Sequence, residues 1–259
     1  MVETYYPLIE QALAVVDEEL EIATAEQRAF EQFRSQLSEI NPAQTLPRSG
    51  ASATGNGTMS VTGQPRKSPS ASLKRVRTAY RETVMSVAHF ESEYGDTLGE
   101  NIAAEFGADL ASQVSDGQIL IRTVHEALMA ATESAIEERR QYGRNLEEER
   151  ESLREIQAGV GHCEQRAYEL GDAVDEASGS DALATLDAQF GDLEATCEEL
   201  VTERQQLIHG RRSRQISGID RESLTTFLYG DFEITCPGLA EIVRCLDTLR
   251  SRRRRCLRR

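Results

Sequence analysis

From Ile121 to Ala177 the chain repeats apolar residues in steps of three and four, and this run constrains the fold more than any other feature. It includes Leu128, Ala135, Tyr142, Leu146, Leu153, Ile156, Val160, Cys163, Ala167, Leu170 and Val174, with Glu138 and Glu149 at two further positions. Such spacing is the seam of one long helix packed along another. The turn Ser178-Gly-Ser-Asp181 interrupts it, and Leu183, Leu186, Phe190, Leu193, Cys197, Leu200, Arg204 and Leu207 resume the same spacing. Two heptad runs joined by four residues predict an antiparallel coiled-coil hairpin. At about 1.5 Å per residue the outward arm is about 90 Å long and the return arm about 50 Å. The seam from Ile121 to Tyr142 therefore requires another partner, either the helices expected over 8–40 and 72–93 or a second copy of the chain. A stutter at Glu138–Tyr142–Leu146 would locally unwind a supercoil. Gly159 and Gly161 are expected to kink or weaken the helix.

The remaining segments fit around that hairpin. Pro7 suits the first position of a helix, and Ile9, Leu13, Val16, Leu20, Phe30, Phe33, Leu37 and Ile40 give it a seam that stops before Asn41-Pro42. Residues 41–70 then change to Ser, Thr, Gly and Pro, a composition with little to bury, and read as a flexible linker. Leu73, Val76, Tyr80, Val84, Val87 and Phe90 predict one helix ending near Tyr94-Gly95. Leu98 through Val114 predict another, closed at Gly117. After the hairpin, Asp220 is placed to cap a short helix through Leu224, Phe227 and Leu228, and Pro237 opens a last helix with Leu239, Ile242, Leu246 and Leu249 on one face. The expected organisation is all-α: an N-terminal amphipathic helix (1–40), the linker (41–70), short helices (71–117), the long hairpin (118–213) and a small C-terminal helical cap (219–259).

Composition agrees with long helices carrying narrow apolar stripes. Of 259 residues 28% are charged, 14 are Phe or Tyr, and none is Trp. The net charge is −15, and of 29 basic residues only Lys67 and Lys74 are lysine. An acidic surface nearly without lysine is suited to staying hydrated in concentrated salt, so a halophilic, cytoplasmic protein is expected. The N-terminus shows no basic and apolar leader, and no apolar run approaches the length of a membrane span. The five cysteines are odd in number and scattered, which fits neither a disulfide framework nor a zinc motif.

No constellation for catalysis, cofactor or metal emerges, and the chain is expected not to be an enzyme. The residues three before His89, His125, His162 and His209 are Ser86, Arg122, Gly159 and Gln206, so the Glu-x-x-His di-iron pattern is absent. His125-Glu126 would need a second histidine where Met129 stands. Gly159-Val-Gly161 continues to Glu164, which rules out the dinucleotide fingerprint. Neighbouring side chains on a helix diverge, so His162-Cys163-Glu164 cannot act jointly. Cys163 and Cys197 read as small apolar seam residues, expected within one or two turns of each other across the hairpin.

The sharpest charged feature is the C-terminal tail: Arg250, Arg252, Arg253, Arg254, Arg255, Arg258 and Arg259. These arginines complement a helix C-terminus and can pack on the protein's own acidic face. Alternatively they can contact nucleic acid, an anionic membrane surface or an acidic protein. In about 1 M salt the Debye length is only about 3 Å, which weakens the external reading. A protein partner, or self-association through the helical seams, is expected ahead of nucleic acid or an anionic surface.

The stretch from Ala79 through His89-Phe-Glu-Ser-Glu-Tyr94, with Leu98, Ala104-Glu-Phe-Gly-Ala-Asp-Leu110 and the Phe227-Leu-Tyr229 to Pro237 segment, resembles an uncharacterised family of haloarchaeal proteins. The resemblance covers about residues 71–259, with the first helix and linker as an addition. It implies a haloarchaeal source and no assigned activity. It also marks His89–Tyr94 as a candidate binding patch beside its plain reading as a packed helix end.

Overall fold

A computed structural model describes residues 6–43, 69–213 and 224–258. Among these residues the fold is all-α, with one isolated bridge pairing Ala43 with Ile121. The helices are α1 (Pro7–Ser38), α2 (Pro69–Glu82), α3 (Phe90–Glu93), α4 (Leu98–Phe106), α5 (Ala108–Ser115), α6 (Arg122–Glu176), α7 (Ser180–Ser213), α8 (Leu224–Tyr229) and α9 (Pro237–Cys256). Most of the expected linker, Asp220 and Arg259 lie outside the described residues. The chain forms two compact units, one from Met1–Leu20 with Asn145–Arg259 and one from Glu21–Arg144. These units do not follow the linear segments, because α1 and α6 each contribute residues to both.

Two expected helices are broken. The helix expected over 72–93 stops at Glu82, passes through a 3-10 turn at Val84–Ser86, and leaves extended backbone at Val87 before α3. Thr83 turns its hydroxyl back onto the Ala79 carbonyl (2.7 Å), the kind of side-chain bond that competes with a helix ladder. Branched Thr83, Val84 and Val87 add little helix propensity to hold the segment straight. The helix expected over 98–114 divides into α4 and α5 at Gly107, whose φ of 89° only glycine adopts cheaply. α4 itself starts with a reciprocal cap between Thr97 and Glu100.

α6, by contrast, runs unbroken for 55 residues through both glycines. Gly159 admits a close approach instead of a kink: a Cβ there would lie 2.7 Å from Leu200 Cδ1 of α7. In the hairpin unit Glu149 meets Arg204, Gly159 meets Leu200, and Cys163 meets Leu193, an antiparallel register. Leu153, Val160, Phe190 and Cys197 are buried along it. α9 lies closely against α7, burying Ile242, Cys245, Leu246 and Leu249. Tyr229 is buried beside Phe232, whereas Phe227 is 55% exposed.

The other unit supplies partners for the first turns of α6. Phe33, Leu37, Leu73, Tyr80, Ile102 and Leu128 belong to one buried cluster that also takes in Ala135 and Ile136. Phe33 meets Tyr80 edge-on at 5.1 Å, and Phe106 packs on both rings. Arg77 closes the end of α5, donating to the carbonyls of Val114 (2.7 Å) and Gly117 (2.8 Å) that the helix leaves unpaired. His125 reaches the Leu37 carbonyl at 3.0 Å, joining α6 to the last turn of α1.

Candidate functional site

The arginine tail is a continuation of α9, so its guanidinium groups are sorted by helical position. Arg253 faces α7 and is held three ways. Its Nε and Nη2 donate to the two oxygens of Asp187 (2.7 and 3.1 Å), and Nη1 donates to Glu194 (3.0 Å). The forked geometry matches a carboxylate, and the hydrogen bonds from Arg253 hold the Asp187 carboxyl below its usual range. Arg250 pairs with Glu198 on the same helix at 3.5 Å. Arg252 donates to the Ala167 carbonyl (3.0 Å) and lies 5.9 Å from the Tyr168 ring centre. Arg255 approaches Asp175 at 3.5 Å. Arg254 and Arg258 are exposed, and Arg259 lies outside the described residues. A small residue makes room for this docking: a Cβ on Gly171 would lie 3.0 Å from Arg252 Nη1.

Deeper in the same unit is a charged group that reasoning from sequence passed over. Arg204 and Glu149 are each 1% exposed and form a two-pronged pair (2.6 and 3.0 Å); Tyr229 donates to the same carboxylate at 2.7 Å. Arg204 also reaches Ser152 Oγ at 3.2 Å, while its buried Nε has no hydrogen-bond acceptor. A signal for the pair was present: both residues occupy seam positions of the hairpin, where an unpaired charge would be costly. A second buried acid, Glu241, is paired with Arg244 at 2.5 Å, and burial raises its carboxyl above the usual range despite that arginine.

Three cysteines converge where α6, α7 and α9 meet: Cys163, Cys197 and Cys245, at most 1% exposed. Cys163 Sγ faces the Leu193 carbonyl at 3.9 Å, and the sulfurs of Cys197 and Cys245 are 3.8 Å apart. The first two lie close together across the hairpin, as their spacing about the turn suggested. Cys245 was not legible as their neighbour because its helix returns from beyond residue 213. His162 is not buried with Cys163, so the adjacent pair diverges. No group of three or more metal-ligating side chains among the described residues is arranged to hold a metal ion.

The other unit contains the His89–Tyr94 patch. Glu26 of α1 accepts from Tyr94 (2.6 Å) and from Arg139 Nε (3.1 Å), with His89 Nε2 at 3.3 Å. Arg139 also donates to Glu105 (2.6 Å) and lies 4.7 Å over the Phe30 ring. Burial, followed by the bond to Glu26, pushes the Tyr94 hydroxyl upward. The cavity bounded by these groups measures ≈ 10 Å³, room for about one water. An arginine shared between two carboxylates in so small a space orients helices and leaves little volume for a substrate.

The chain belongs to a family defined by a domain of unknown function (DUF7260), whose model matches residues 7–253. The match begins in α1, so the first helix is part of the family's domain and not an addition to it. This agrees with the burial of Phe30, Phe33 and Leu37 in a shared core. No curated protein and no solved structure matches the chain.

Proposed function

We propose that this member of the DUF7260 family is a non-catalytic helical scaffold, which recruits a protein partner or a second copy through the exposed faces of its coiled-coil hairpin. The observation that carries the reading is Arg253. Its guanidinium donates three hydrogen bonds to Asp187 and Glu194 of the same chain, so α9 serves as an internal brace. The near-absence of lysine and the net charge of −15 support a halophilic, cytoplasmic setting. There, long-range attraction to phosphates is screened, and contact between shaped helical faces is the more durable means of recognition. No helix among the described residues is long and apolar enough to cross a membrane.

A second reading rests on Arg254 and Arg258, whose exposed side chains present positive charge at one end of an acidic protein. In this reading the tail touches nucleic acid or an anionic membrane surface. Affinity capture in molar potassium chloride separates the two, using the intact chain and a variant with Arg254, Arg255 and Arg258 changed to Gln. The scaffold reading expects one protein, or the chain itself, recovered equally by both baits and binding saturably when purified. Nucleic acid or anionic lipid retained only by the intact chain would replace it with the second reading.

A further inference from the structure

The thiol cluster in the hairpin unit has a geometry that plain packing does not require. Cys197 and Cys245 come from two helices that run antiparallel, as shown by Cys256 at Leu183, Arg253 at Asp187 and Arg250 at Glu198. Their sulfurs are already in contact at 3.8 Å. A disulfide needs about 2.05 Å, so the remaining approach of about 1.8 Å is within the reach of side-chain rotation and a small helix shift. Cys163 completes the environment from α6. Its Sγ donates to the Leu193 carbonyl at 3.9 Å, so the contact between sulfurs is the one between Cys197 and Cys245.

We propose that Cys197 and Cys245 are a redox modification site, forming a reversible disulfide when a small two-electron oxidant such as hydrogen peroxide enters the core. One thiolate attacks a peroxide oxygen, the O–O bond breaks, and hydroxide leaves a sulfenic acid behind. The second sulfur attacks the first, the S–O bond breaks, and a second hydroxide departs. The two thiol protons convert both hydroxides to water. The cysteine pair is oxidised by two electrons and the peroxide is reduced by two. The bond ties α9 to α7 about two turns of α9 before Arg253, and so fixes the arginine-bearing helix against the hairpin. Thiol reductants reverse it.

The test treats the folded, full-length chain with hydrogen peroxide, blocks remaining thiols by alkylation after denaturation, and digests it without reduction. The expected product is a Cys197–Cys245 cross-linked peptide lighter by two hydrogens, with Cys163, Cys236 and Cys256 alkylated. The thermal midpoint should rise by about 5–10 °C, because the bond closes a long loop of the unfolded chain, and dithiothreitol should return it. The Cys163→Ala variant should form the same link, since the Cys197–Cys245 pair is intact. A cross-link through Cys163 or Cys236, oxidation to sulfinic acid without a cross-link, or five alkylated cysteines after treatment would each overturn the assignment.

Discussion

The two units each place a largely buried arginine between helices, and they differ in how much water reaches it. In the hairpin unit Arg204 and Glu149 are 1% exposed, with Tyr229 as the third member. In the other unit Arg139, Glu26 and Glu105 retain 13–15% of their side-chain surface and draw in His89 and Tyr94. A dry pair has few ways to rearrange. Removing one member leaves a buried charge that water cannot reach, so the pair specifies register at high stakes. A partly wet network with one cation and two carboxylates can lose a member and rehydrate. The comparison indicates that α6, α7 and α8 are held by a contact that tolerates no substitution of one partner alone, whereas α1, α4 and α6 are held by a contact that degrades gradually.

The largest expected effect tests the dry pair. Arg204→Met should cost about 3–5 kcal/mol by stranding Glu149, and the triple change with Glu149→Leu and Tyr229→Phe should recover most of that loss. Urea unfolding measures both; equal losses would show that the pair is not what holds the register. Arg139→Met should cost less, about 1–2 kcal/mol, because Glu26 and Glu105 can be hydrated. A loss as large as that at Arg204 would erase the distinction between the units.

Smaller effects sharpen it. Burial holds the Glu241 carboxyl above its usual range, with Arg244 opposing. A raised acid contributes stability below its unfolded pKa of about 4.3, and that contribution is lost as pH rises through the folded value. Glu241→Gln should therefore stabilise the chain by about 1 kcal/mol at pH 7 and by nearly nothing at pH 4, which thermal melts across that range would show. Asp187 runs the other way. Its carboxyl is depressed by Arg253, so the stability it supplies is complete above about pH 4 and fades as pH falls further. Arg253→Gln should cost only about 0.5 kcal/mol and quicken amide exchange in the last turns of α9; unchanged exchange would remove Arg253 as the brace.

Much of the fold was readable because heptad spacing is a local signal. The buried residues Leu153, Val160, Cys163, Phe190 and Cys197 fall on the expected seam. The breaks at Thr83 and Gly107 were harder to see, since each turns on one residue's backbone preference inside an otherwise periodic stretch. In the site, the seven arginines were visible as a block, but their division between inward Arg253 and outward Arg254 and Arg258 was not. That division depends on which side of α9 faces α7.

The periodic spacing of apolar residues, the turn at 178–181 and the charge balance follow from the order of amino acids alone, because each depends on neighbours a few positions apart. The meeting of Glu149 with Arg204 and Tyr229, of Cys197 with Cys245, and of Glu26 with Arg139 joins residues 48 to 113 positions apart. Such contacts are set by how helices dock, and docking is chosen by the summed fit of many weak apolar contacts that no single stretch of sequence contains.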